Sequence, residues 1–578
     1  MHHFRVWAPK PKTVKIVADG KQLPMKRDRH GWWSAKVARA AAGTNYGYIL
    51  DGEGPFPDPR SPSQPQGVHK LSQLVDQDKF PWTDQDFKVP SLTAAVIYEL
   101  HLGTFTPEGN FLSAIQKLDQ LAAIGITHVE LMPVNEFSGD HGWGYDGVDL
   151  YAPHRAYGRP DDLKKLVNAC HARGLAVILD VVYNHLGPSG NYLGKFGPYF
   201  TNKFATFWGE GINFDGPDSD EVRRFFCDNA LMWLRDFHFD GLRLDAVHGI
   251  IDTSAIHFLE QLKTEVETLA TGVNRDLFLI AESDLNDPRL LWLRQRGGFQ
   301  LDAQWSDDFH HALHTVLTGE RTGYYSDFGK ISQIAEALKN AYVYNGKYSP
   351  HRRRRHGRRV EGLSGHRFLG YLQNHDQIGN RALGERSGQL MSLGRLKIGA
   401  ALVLTSPFLP MLFQGEEWGA STPFLFFTDH REPALANAVR EGRCREFAAF
   451  GWKPEDTPDP QAPETFARSK LNWAEAKKKP HAEILQWHKK LLALRRNEAC
   501  LGDGQMDHVR VHFSESGKWL RIQRVDITIV CNLASRKQNI SLNQKGAYTI
   551  ALASDVRVKI TSHSVSLPPD SVVILKAH

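Results

Sequence analysis

The sequence predicts an α/β protein: a (β/α)8 TIM barrel with one β-sandwich before it and another after it. Between about residues 91 and 497, short apolar runs alternate with amphipathic helical segments. Strands that are apolar throughout and separated by helices are typical of a parallel sheet covered on both faces. Eight such runs would close one barrel with long loops; they begin near residues 97, 129, 177, 241, 278, 301, 370 and 410.

An open, doubly wound sheet is the competing fold for the same pattern. Such a sheet usually has a glycine-rich, phosphate-binding turn after its first strand. Here the first apolar run, AVIYEL at 95–100, is followed by HLGTFTPEGN, which does not match that turn. The closed barrel is therefore the favoured interpretation.

The two ends of the chain have the alternating pattern of antiparallel sheets. In the first part, the runs FRVWAP, TVKIVAD, WWSAKV and YGYIL are separated by Gly, Pro and Asp. In the last part, the runs are HVRVHF, WLRIQRV, ITIVCNL, AYTIAL and SVVILKA. We predict an N-terminal Ig-like β-sandwich over residues 1–90, the barrel over 91–497 and a C-terminal β-sandwich over 498–578.

Charge and cysteine usage exclude several classes of function. The net charge of the 578-residue chain is only +5, whereas dedicated nucleic-acid binders usually carry larger, clustered charge. One basic run exists, HRRRRHGRR at 351–359. We expect it to be a solvated or acid-paired loop before the seventh barrel strand, overhanging the cleft, with a polyanion-binding site as the alternative. No run reaches membrane-spanning length and there is no secretory leader, so no membrane partner is expected. Scattered cysteines without a CxxC pair favour free thiols in the cytoplasm, at positions 170, 227, 444, 500 and 531.

Charged residues are concentrated at the ends of the predicted barrel strands. Asp180 is late in LAVILDVV and is followed by His185, while Asp245 ends GLRLD, Glu282 ends LFLIAE and Asp376 ends LGYLQNHD. The carboxyl ends of barrel strands converge on one mouth, where active sites are built. Each acid alone could be a helix cap. Together with neighbouring basic side chains, they predict acid/base chemistry.

A divalent metal site is the alternative use for such carboxylates. Arg243 precedes Asp245 by two residues, so both side chains point to the same side of the strand. A fixed cation there suits a carboxylate that must stay ionised better than it suits a metal ligand. We predict no required metal and no cofactor.

Four segments carry a family resemblance. DVVYNH (180–185), GLRLDAVH (241–248), AES (281–283) and QNHD (373–376) resemble, in order, the four signature segments of the α-amylase superfamily, glycoside hydrolase family 13. The N-terminal sandwich is similar to the early-set domain of branching and debranching members. Further segments resemble the trehalose-releasing members, among them AESDLNDPR (281–289), QWSDDFHHALH (304–314) and GEEWGASTPFLFFTDH (415–430).

The resemblance implies a role for each acid. Asp245 would be the nucleophile, Glu282 the general acid and base, and Asp376 the third carboxylate that holds sugar hydroxyls. A retaining mechanism needs two carboxyl groups ~5–5.5 Å apart, one ionised and one protonated. Arg243 would keep the pKa of Asp245 low, and negative charge on Asp245 and Asp376 would raise that of Glu282. The resemblance also implies substrate-binding residues, namely Tyr145 as stacking platform, His185, His375, Arg243 and His248.

The implied reaction is hydrolysis of the α-1,4 bond next to the terminal trehalose of a malto-oligosyltrehalose, which yields trehalose and a maltodextrin. A synthase that makes malto-oligosyltrehalose would act upstream without a need for physical contact. Candidates for the pocket on the trehalose side are Trp208, Asp307, Asp308, His311 and Glu417. Asp307 and Asp308 could equally cap the helix FHHALHTVL. Helical spacing separates His310, His311 and His314, so we expect hydrogen bonding or packing for them rather than a metal cluster.

One segment differs from calcium-dependent family members, and two alternative functions share parts of this sequence pattern. Calcium-dependent relatives carry a long insertion after the third strand; here the insertion, 186–218, is short, and only Asn184 matches an ion-binding position. A branching enzyme would share the domains and the first half of the mechanism, but a sugar hydroxyl would resolve its intermediate. A non-catalytic sugar-binding protein on the same scaffold usually lacks part of the acid trio, which this chain keeps.

Overall fold

The computed structural model describes residues 1–206, 209–448, 452–453, 456–542 and 547–578. Its centre is a closed barrel of eight parallel strands in sequential order, which confirms the predicted (β/α)8 architecture. All eight predicted apolar runs contribute one strand each. The barrel strands are Ile97–Leu100, His128–Leu131, Ala176–Val181, Gly241–Leu244, Phe278–Ala281, Ala303–Trp305, Phe368–Gly370 and Leu409–Phe413.

Every residue of these eight strands is buried. Burial on both faces explains why the sequence runs are apolar without alternation. Side chains such as Ile97, Ile178 and Ile280 fill the barrel interior in one cluster with Trp305 and Tyr371. Charged side chains enter the interior only nearer the carboxyl ends of the strands, where the candidate site lies.

Helices surround the barrel and follow the predicted periodicity with local differences. Between residues 111 and 124, where the apolar spacing is helical, the chain forms two short helices. The second is followed by Gly125 in the left-handed conformation, with φ 103°. The α-helices are Leu102–Phe105, Phe111–Ile115, Leu118–Ile124, Pro160–His171, Leu193–Phe196, Ser219–Asp236, Phe258–Val273, Asp307–Thr318, Ile331–Asn340, His375–Gly379, Ser387–Leu390, Leu393–Leu404, Pro433–Ala448, Pro463–Arg468 and His481–Asn497.

Antiparallel sheets precede the barrel, as predicted. One N-terminal sheet has three strands and the other has five. Trp33 packs in the core between them, whereas Trp32 donates a hydrogen bond to Glu221 on a barrel helix, 3.0 Å away. The N-terminal strands are His2–Trp7, Val14–Ala18, Lys21–Pro24, Lys26–Arg27, Trp32–Val37, Asn45–Leu50, Glu53–Phe56 and Ser72–Gln73.

The chain also ends in two antiparallel sheets, of five and three strands. Their strands are Val509–Ser514, Trp519–Arg524, Ile527–Asn532, Gln538–Ser541, Tyr548–Ala553, Lys559–Ile560, Ser564–Leu567 and Ser571–Ala577. A separate hydrophobic cluster, which includes Val530, Val565 and Val573, fills the space between the two sheets. The proposed boundaries at residues 90 and 497 stay predictions.

Short β-hairpins lie in the loops that connect elements of the barrel. The basic run lies in one of them, in which Arg352 forms an ion pair with Asp284 at 2.9 Å. An acid-paired loop was the expected arrangement for this run. The hairpin strands are Asn135–Glu136 with Asp149–Pro153, Phe200–Thr206 with Gly209–Ile212, and Lys347–Ser349 with Arg354–His356. No helix in the described parts of the chain combines the length and apolar character that a bilayer crossing requires.

One predicted strand end was wrong. The seventh barrel strand stops at Gly370, so Asp376 does not end a strand but lies in the first turn of the short helix His375–Gly379. The side chain of Asn374 caps this helix by accepting hydrogen bonds from the backbone N–H groups of Asp376 and Gln377. The carboxylate still reaches the mouth of the barrel, through a helix start instead of a strand end.

A clamp at the amino ends of the barrel strands fixes the segment that leads into the barrel. Asp84 accepts hydrogen bonds from His171 at 2.7 Å and from His238 at 2.9 Å. The other ring nitrogen of His171 donates to Asp240 at 3.0 Å. Trp82 stacks on His238 at a ring separation of 3.7 Å. Both nitrogens of His171 thus face carboxylates, as in an imidazolium.

The pKa values in this clamp shift in complementary directions. Burial opposes the charged form of His171, but its hydrogen bonds to Asp240 and Asp84 outweigh burial and raise its pKa. Burial likewise opposes ionisation of Asp84, and the hydrogen bonds from His171 and His238 reverse this, so that the pKa of Asp84 is lowered. The histidine stabilises the fold below its unfolded pKa near 6.5, and this stabilisation is lost as pH rises through the raised value.

We predict that Asp84→Asn lowers the free energy of unfolding by about 2 kcal/mol near pH 6, because two charge-assisted hydrogen bonds are weakened. The loss should be smaller at a pH above the raised pKa of His171, where that ring is neutral in wild type as well. Denaturant titrations at the two pH values measure the difference. Asp86→Asn is the matched control, since Asp86 is exposed in the same segment. Equal destabilisation at both pH values would contradict the assignment of an imidazolium.

Candidate active site

The predicted acids meet around one buried guanidinium. Arg243 is fully buried, and its Nη1 lies 2.7 Å from Asp180 and 2.8 Å from Asp245. Its Nη2 lies 3.5 Å from Glu282. Asp245 and Glu282 follow directly after the fourth and fifth barrel strands, which are parallel neighbours. The structure therefore brings together two carboxyl groups that are 37 positions apart in the sequence.

Trp305 packs against the guanidinium group of Arg243. Its guanidinium carbon lies 4.3 Å from the ring centre of Trp305 on the sixth barrel strand. Stacking on an aromatic face leaves the edge of a guanidinium free to bind carboxylates in its own plane. The position of both carboxyl groups is thus defined by a cation that the barrel core fixes.

Asp245 is the ionised member of the pair. Burial opposes its ionisation, but Arg243, then His185, and a hydrogen bond from Asn184 outweigh burial and lower its pKa. The Asn184 amide donates to Oδ2 of Asp245 at 2.7 Å. A buried carboxylate that stays ionised beside a cation has the properties of a nucleophile.

The environment of Glu282 favours its protonated form. Burial raises its pKa well above the usual range; Arg243 opposes this shift, whereas Asp245, Asp307 and Asp376 add to it. Its Oε2 accepts a hydrogen bond of 2.6 Å from the backbone N–H of Ala246. Ala246 has φ 37°, in the left-handed region that L-residues adopt rarely, so the chain directly after Asp245 is strained. The sequence-based expectation named Asp245 and Asp376 for this shift and missed burial as its first cause.

Tyr145, His375 and Asp376 form a second group, which Asp180 links to Arg243. The hydroxyl of Tyr145 donates to Asp180 at 2.6 Å and lies 2.8 Å from Nε2 of His375. The two rings are nearly parallel, with centres 5.2 Å apart. Nε2 of His375 is also 3.4 Å from Asp376, whose side chain is 44% exposed and thus open to the cleft. His185 donates a hydrogen bond of 2.7 Å to the backbone oxygen of Tyr145 and so helps to hold Tyr145 in place.

The structure adds residues that the predicted site did not contain. Asp180, although noted at a strand end, was not assigned a function, and it links Arg243 to Tyr145. Glu99 accepts two hydrogen bonds from His375. Asn184 was considered only for ion binding and contacts Asp245 instead. A period of two along the barrel strands gives a signal for Asp180 and Glu99, because both precede a strand end on the inward side.

The two aspartates at 307 and 308 differ in role. Neither caps the helix Asp307–Thr318, because Ser306 occupies the N-cap and the aspartates lie in the first turn. Asp307 accepts a hydrogen bond from Tyr371 at 2.5 Å, and burial first, then nearby carboxylates, raise its pKa to about 7. Asp308 is buried and one of its oxygens accepts three hydrogen bonds, from Asn286 and from two backbone N–H groups at 343 and 344. These hydrogen bonds hold a loop in place, and the substrate contact of Asp308 stays a prediction.

Other predicted pocket residues are also inside the protein. His311 packs against the rings of Tyr324, Tyr325 and Phe328, which fits the packing role considered for this histidine; its substrate contact stays a prediction. Glu417 is buried and accepts a hydrogen bond from Tyr98 at 3.0 Å, so it too belongs to the core.

The last two pocket candidates are His248 and Trp208. His248 is exposed in a short 3-10 helix that follows Asp245. Trp208 lies outside the described residues. Within the described ranges, no group of three or more His, Cys, Asp or Glu side chains is arranged to hold a metal ion.

Comparisons with known proteins identify a matching family model and relatives of similar length. The family model "Alpha amylase, catalytic domain" matches residues 74–208. A malto-oligosyltrehalose trehalohydrolase of Mycobacterium tuberculosis is 49% identical over 583 aligned positions, covering 100% of this chain and 99% of the relative. A protein of the same name from Rhizobium sp. is 48% identical and covers 99% and 97%.

A solved structure shares both fold and sequence. A protein described as an alpha amylase of Salmonella typhimurium superposes with a TM-score of 0.91 at 38% identity. The alignment covers 99% of this chain and 97% of that protein. The arrangement of sheets before and after the barrel is therefore shared along the whole length of both chains.

We predict that Asp307→Asn moves the alkaline limb of kcat/KM for α-glucan hydrolysis to lower pH. Asp307 is one of the charges that raise the pKa of Glu282, so its removal lowers that pKa, and the proton needed for catalysis is lost earlier. We expect several-fold lower kcat/KM on the alkaline side of the optimum and little change on the acid side.

A full pH–rate profile measures this shift. Asp287→Asn is the control, since Asp287 follows the same strand as Glu282 and is not among the groups that shift its pKa. An alkaline limb that stays in place in Asp307→Asn would show that the two carboxyl groups are not coupled.

Proposed function

Because the chain belongs to the malto-oligosyltrehalose trehalohydrolase family, within the α-amylase superfamily, we propose that it hydrolyses the α-1,4-glucosidic bond next to the terminal trehalose of malto-oligosyltrehalose. The products are trehalose and a shortened maltodextrin, with retention at the anomeric carbon. Full-length similarity supports the substrate. The observation that carries the chemistry is that Asp245 and Glu282 share Arg243 and have pKa values shifted in opposite directions.

In the first step, the ionised carboxylate of Asp245 attacks the anomeric carbon and forms an ester. The bond to the leaving oxygen breaks, and Glu282 donates its proton to that oxygen, so trehalose leaves as a neutral alcohol. Arg243 keeps Asp245 ionised until attack. The raised pKa of Glu282 favours retention of that proton until it is transferred.

When the second step begins, Glu282 is the ionised carboxyl group and esterified Asp245 is neutral. Once Asp245 is esterified, its negative charge no longer raises the pKa of Glu282, so the Glu282 carboxylate is stabilised by Arg243. Glu282 then takes a proton from a water molecule, which attacks the anomeric carbon and frees Asp245. The same guanidinium therefore stabilises whichever of the two carboxyl groups is ionised.

The remaining groups bind and orient the reacting sugar. We assign Tyr145 as the platform under the ring, because it is half-buried and its hydroxyl contacts Asp180 and His375 beside the catalytic carboxyls. Asp376, which is open to the cleft, and His375 and His185 are assigned to sugar hydroxyls. The proposed action needs no cofactor. Upstream, a malto-oligosyltrehalose synthase would supply the substrate, and the five unpaired cysteines support a cytoplasmic location.

Product identification tests the substrate. Purified protein is incubated in parallel with maltotriosyltrehalose and with maltopentaose, which has the same number of glucose units but no trehalose end. We expect trehalose and maltotriose from the first substrate and much slower turnover of the second. Equal turnover of both would favour a general α-amylase. New α-1,6 linkages would favour the branching-enzyme alternative.

We predict that Asp245→Ala and Glu282→Gln each reduce kcat at least a hundredfold while oligosaccharide binding is largely retained. Activated glucosyl substrates with azide separate the two roles. In Asp245→Ala, azide replaces the nucleophile and gives the β-azide, whereas in Glu282→Ala it intercepts the glycosyl-enzyme and gives the α-azide. Residual activity above about a hundredth of wild type in either variant counts against the assignment.

A further inference from the structure

A layer of buried charges lies in the barrel interior directly below the catalytic carboxyls. Its members come from the first four barrel strands and from the helix after the seventh. Each has at most 1% of its residue surface exposed. The members are Glu99, Glu130, Asp180, Arg243 and His375. The proposed mechanism uses Arg243 and His375 and leaves the two glutamates unexplained.

Both ring nitrogens of His375 face groups that can accept a hydrogen bond, as they do in an imidazolium. Its Nδ1 lies 2.5 Å from Oε1 of Glu99, an acceptor. Its Nε2 lies 2.8 Å from the hydroxyl of Tyr145, whose own proton is donated to Asp180. Both ring nitrogens therefore donate, and a doubly protonated ring requires an ionised partner. Glu99 is that partner, and its second oxygen accepts the backbone N–H of His375 at 3.0 Å.

Glu130 has the opposite environment. It is the direct neighbour of Glu99 in the parallel ladder between the first two barrel strands. Both of its carboxyl oxygens are buried, and no described residue donates a hydrogen bond to either of them. An ionised carboxylate without donors is strongly disfavoured in a protein interior.

A charge count leads to the same result. Arg243 and His375 supply two positive charges to the layer and its mouth. Glu99, Asp180 and Asp245 already supply three carboxylates that accept hydrogen bonds from cations or other donors. A further carboxylate at Glu130, directly beside Glu99, would add charge that no cation in the described structure pairs with.

We propose that Glu99 and Glu130 form an asymmetric buried acid pair, in which Glu130 holds the proton and ionised Glu99 is the positioning residue for His375. Through His375, Glu99 fixes the position of Tyr145 and of the positive charge next to Asp376. Tyr145 and Asp376 both contact the sugar in the proposed function. Neutral Glu130 leaves Glu99 free to pair with His375 alone. The kinetic part of this proposal rests on the proposed function, whereas the protonation states do not.

The pKa directions support the arrangement. Burial first, then Glu99 and Asp180, raise the pKa of Glu130 well above its usual range, against opposition from Arg243. Burial opposes the charged form of His375, but Asp376 and Glu99 outweigh it and raise the pKa to about 9. The groups that face the pair thus come from the third and fourth strands and from the helix after the seventh.

Two isosteric substitutions test the asymmetry. Glu130→Gln keeps a neutral group and should retain kcat/KM within about twofold, with an unchanged pH profile. Glu99→Gln removes the counter-charge of His375; we expect kcat to fall at least tenfold and the alkaline limb to move to lower pH as His375 loses its proton earlier. The same residue type and substitution at neighbouring ladder positions makes each variant the control for the other.

Infrared difference spectroscopy provides a readout that needs no substrate. The wild-type spectrum minus that of Glu130→Gln at neutral pH should contain the carbonyl stretch of a protonated carboxylic acid, with its shift in D2O. The proposal is overturned if this band is absent, or if Glu130→Gln loses activity while Glu99→Gln retains it. If Glu99→Gln does not fold, the infrared band alone decides. Failure of the proposed function would instead appear as the wrong products from wild type, with the band still present.

Discussion

The guanidinium of Arg243 is the interaction on which the site depends. It is fully buried, stacked on Trp305, and in contact with carboxyl groups from three successive barrel strands. A lone buried cation would be unstable, and so would the carboxylates without it. Their mutual requirement fixes the ends of those strands relative to each other. This cluster buries several ionisable groups, which is unfavourable unless they are paired. The barrel provides hydrogen-bond or ion-pair partners for nearly all of them.

Electrostatic order in the site extends over more than one layer. At the mouth, burial disfavours ionisation of both Asp245 and Glu282, and only at Asp245, which lies closer to the cation, is burial outweighed. One level lower, His375 is charged because each of its nitrogens faces an acceptor. Tyr145 and Asp180 connect the two levels. The protonation state of each acid is therefore a property of the network and not of one residue.

The sequence predicted the barrel well because its strands are buried on both faces and read as uninterrupted apolar runs. It failed where that signal continues past a strand: FLGYLQ stays buried beyond Gly370, so Asp376 was placed on a strand instead of a helix. Asp307 and Asp308 are adjacent and alike in sequence. Only the fold shows that one faces Tyr371 and the other holds a loop 35 residues away. The period of two marks the acids within IYEL and HVEL as inward-facing, but it does not show which charges surround them, because that depends on which strands become neighbours.

The clamp around Asp84 lies at the amino ends of the strands, on the far side of the barrel from the chemistry. Anchoring of the N-terminal part and recognition of sugar therefore use different residues and different loops. Divergence toward another glucan could exchange the loops at the mouth without disturbing the base that holds them. Such a division of labour within one domain would let relatives with unlike specificities keep a common architecture.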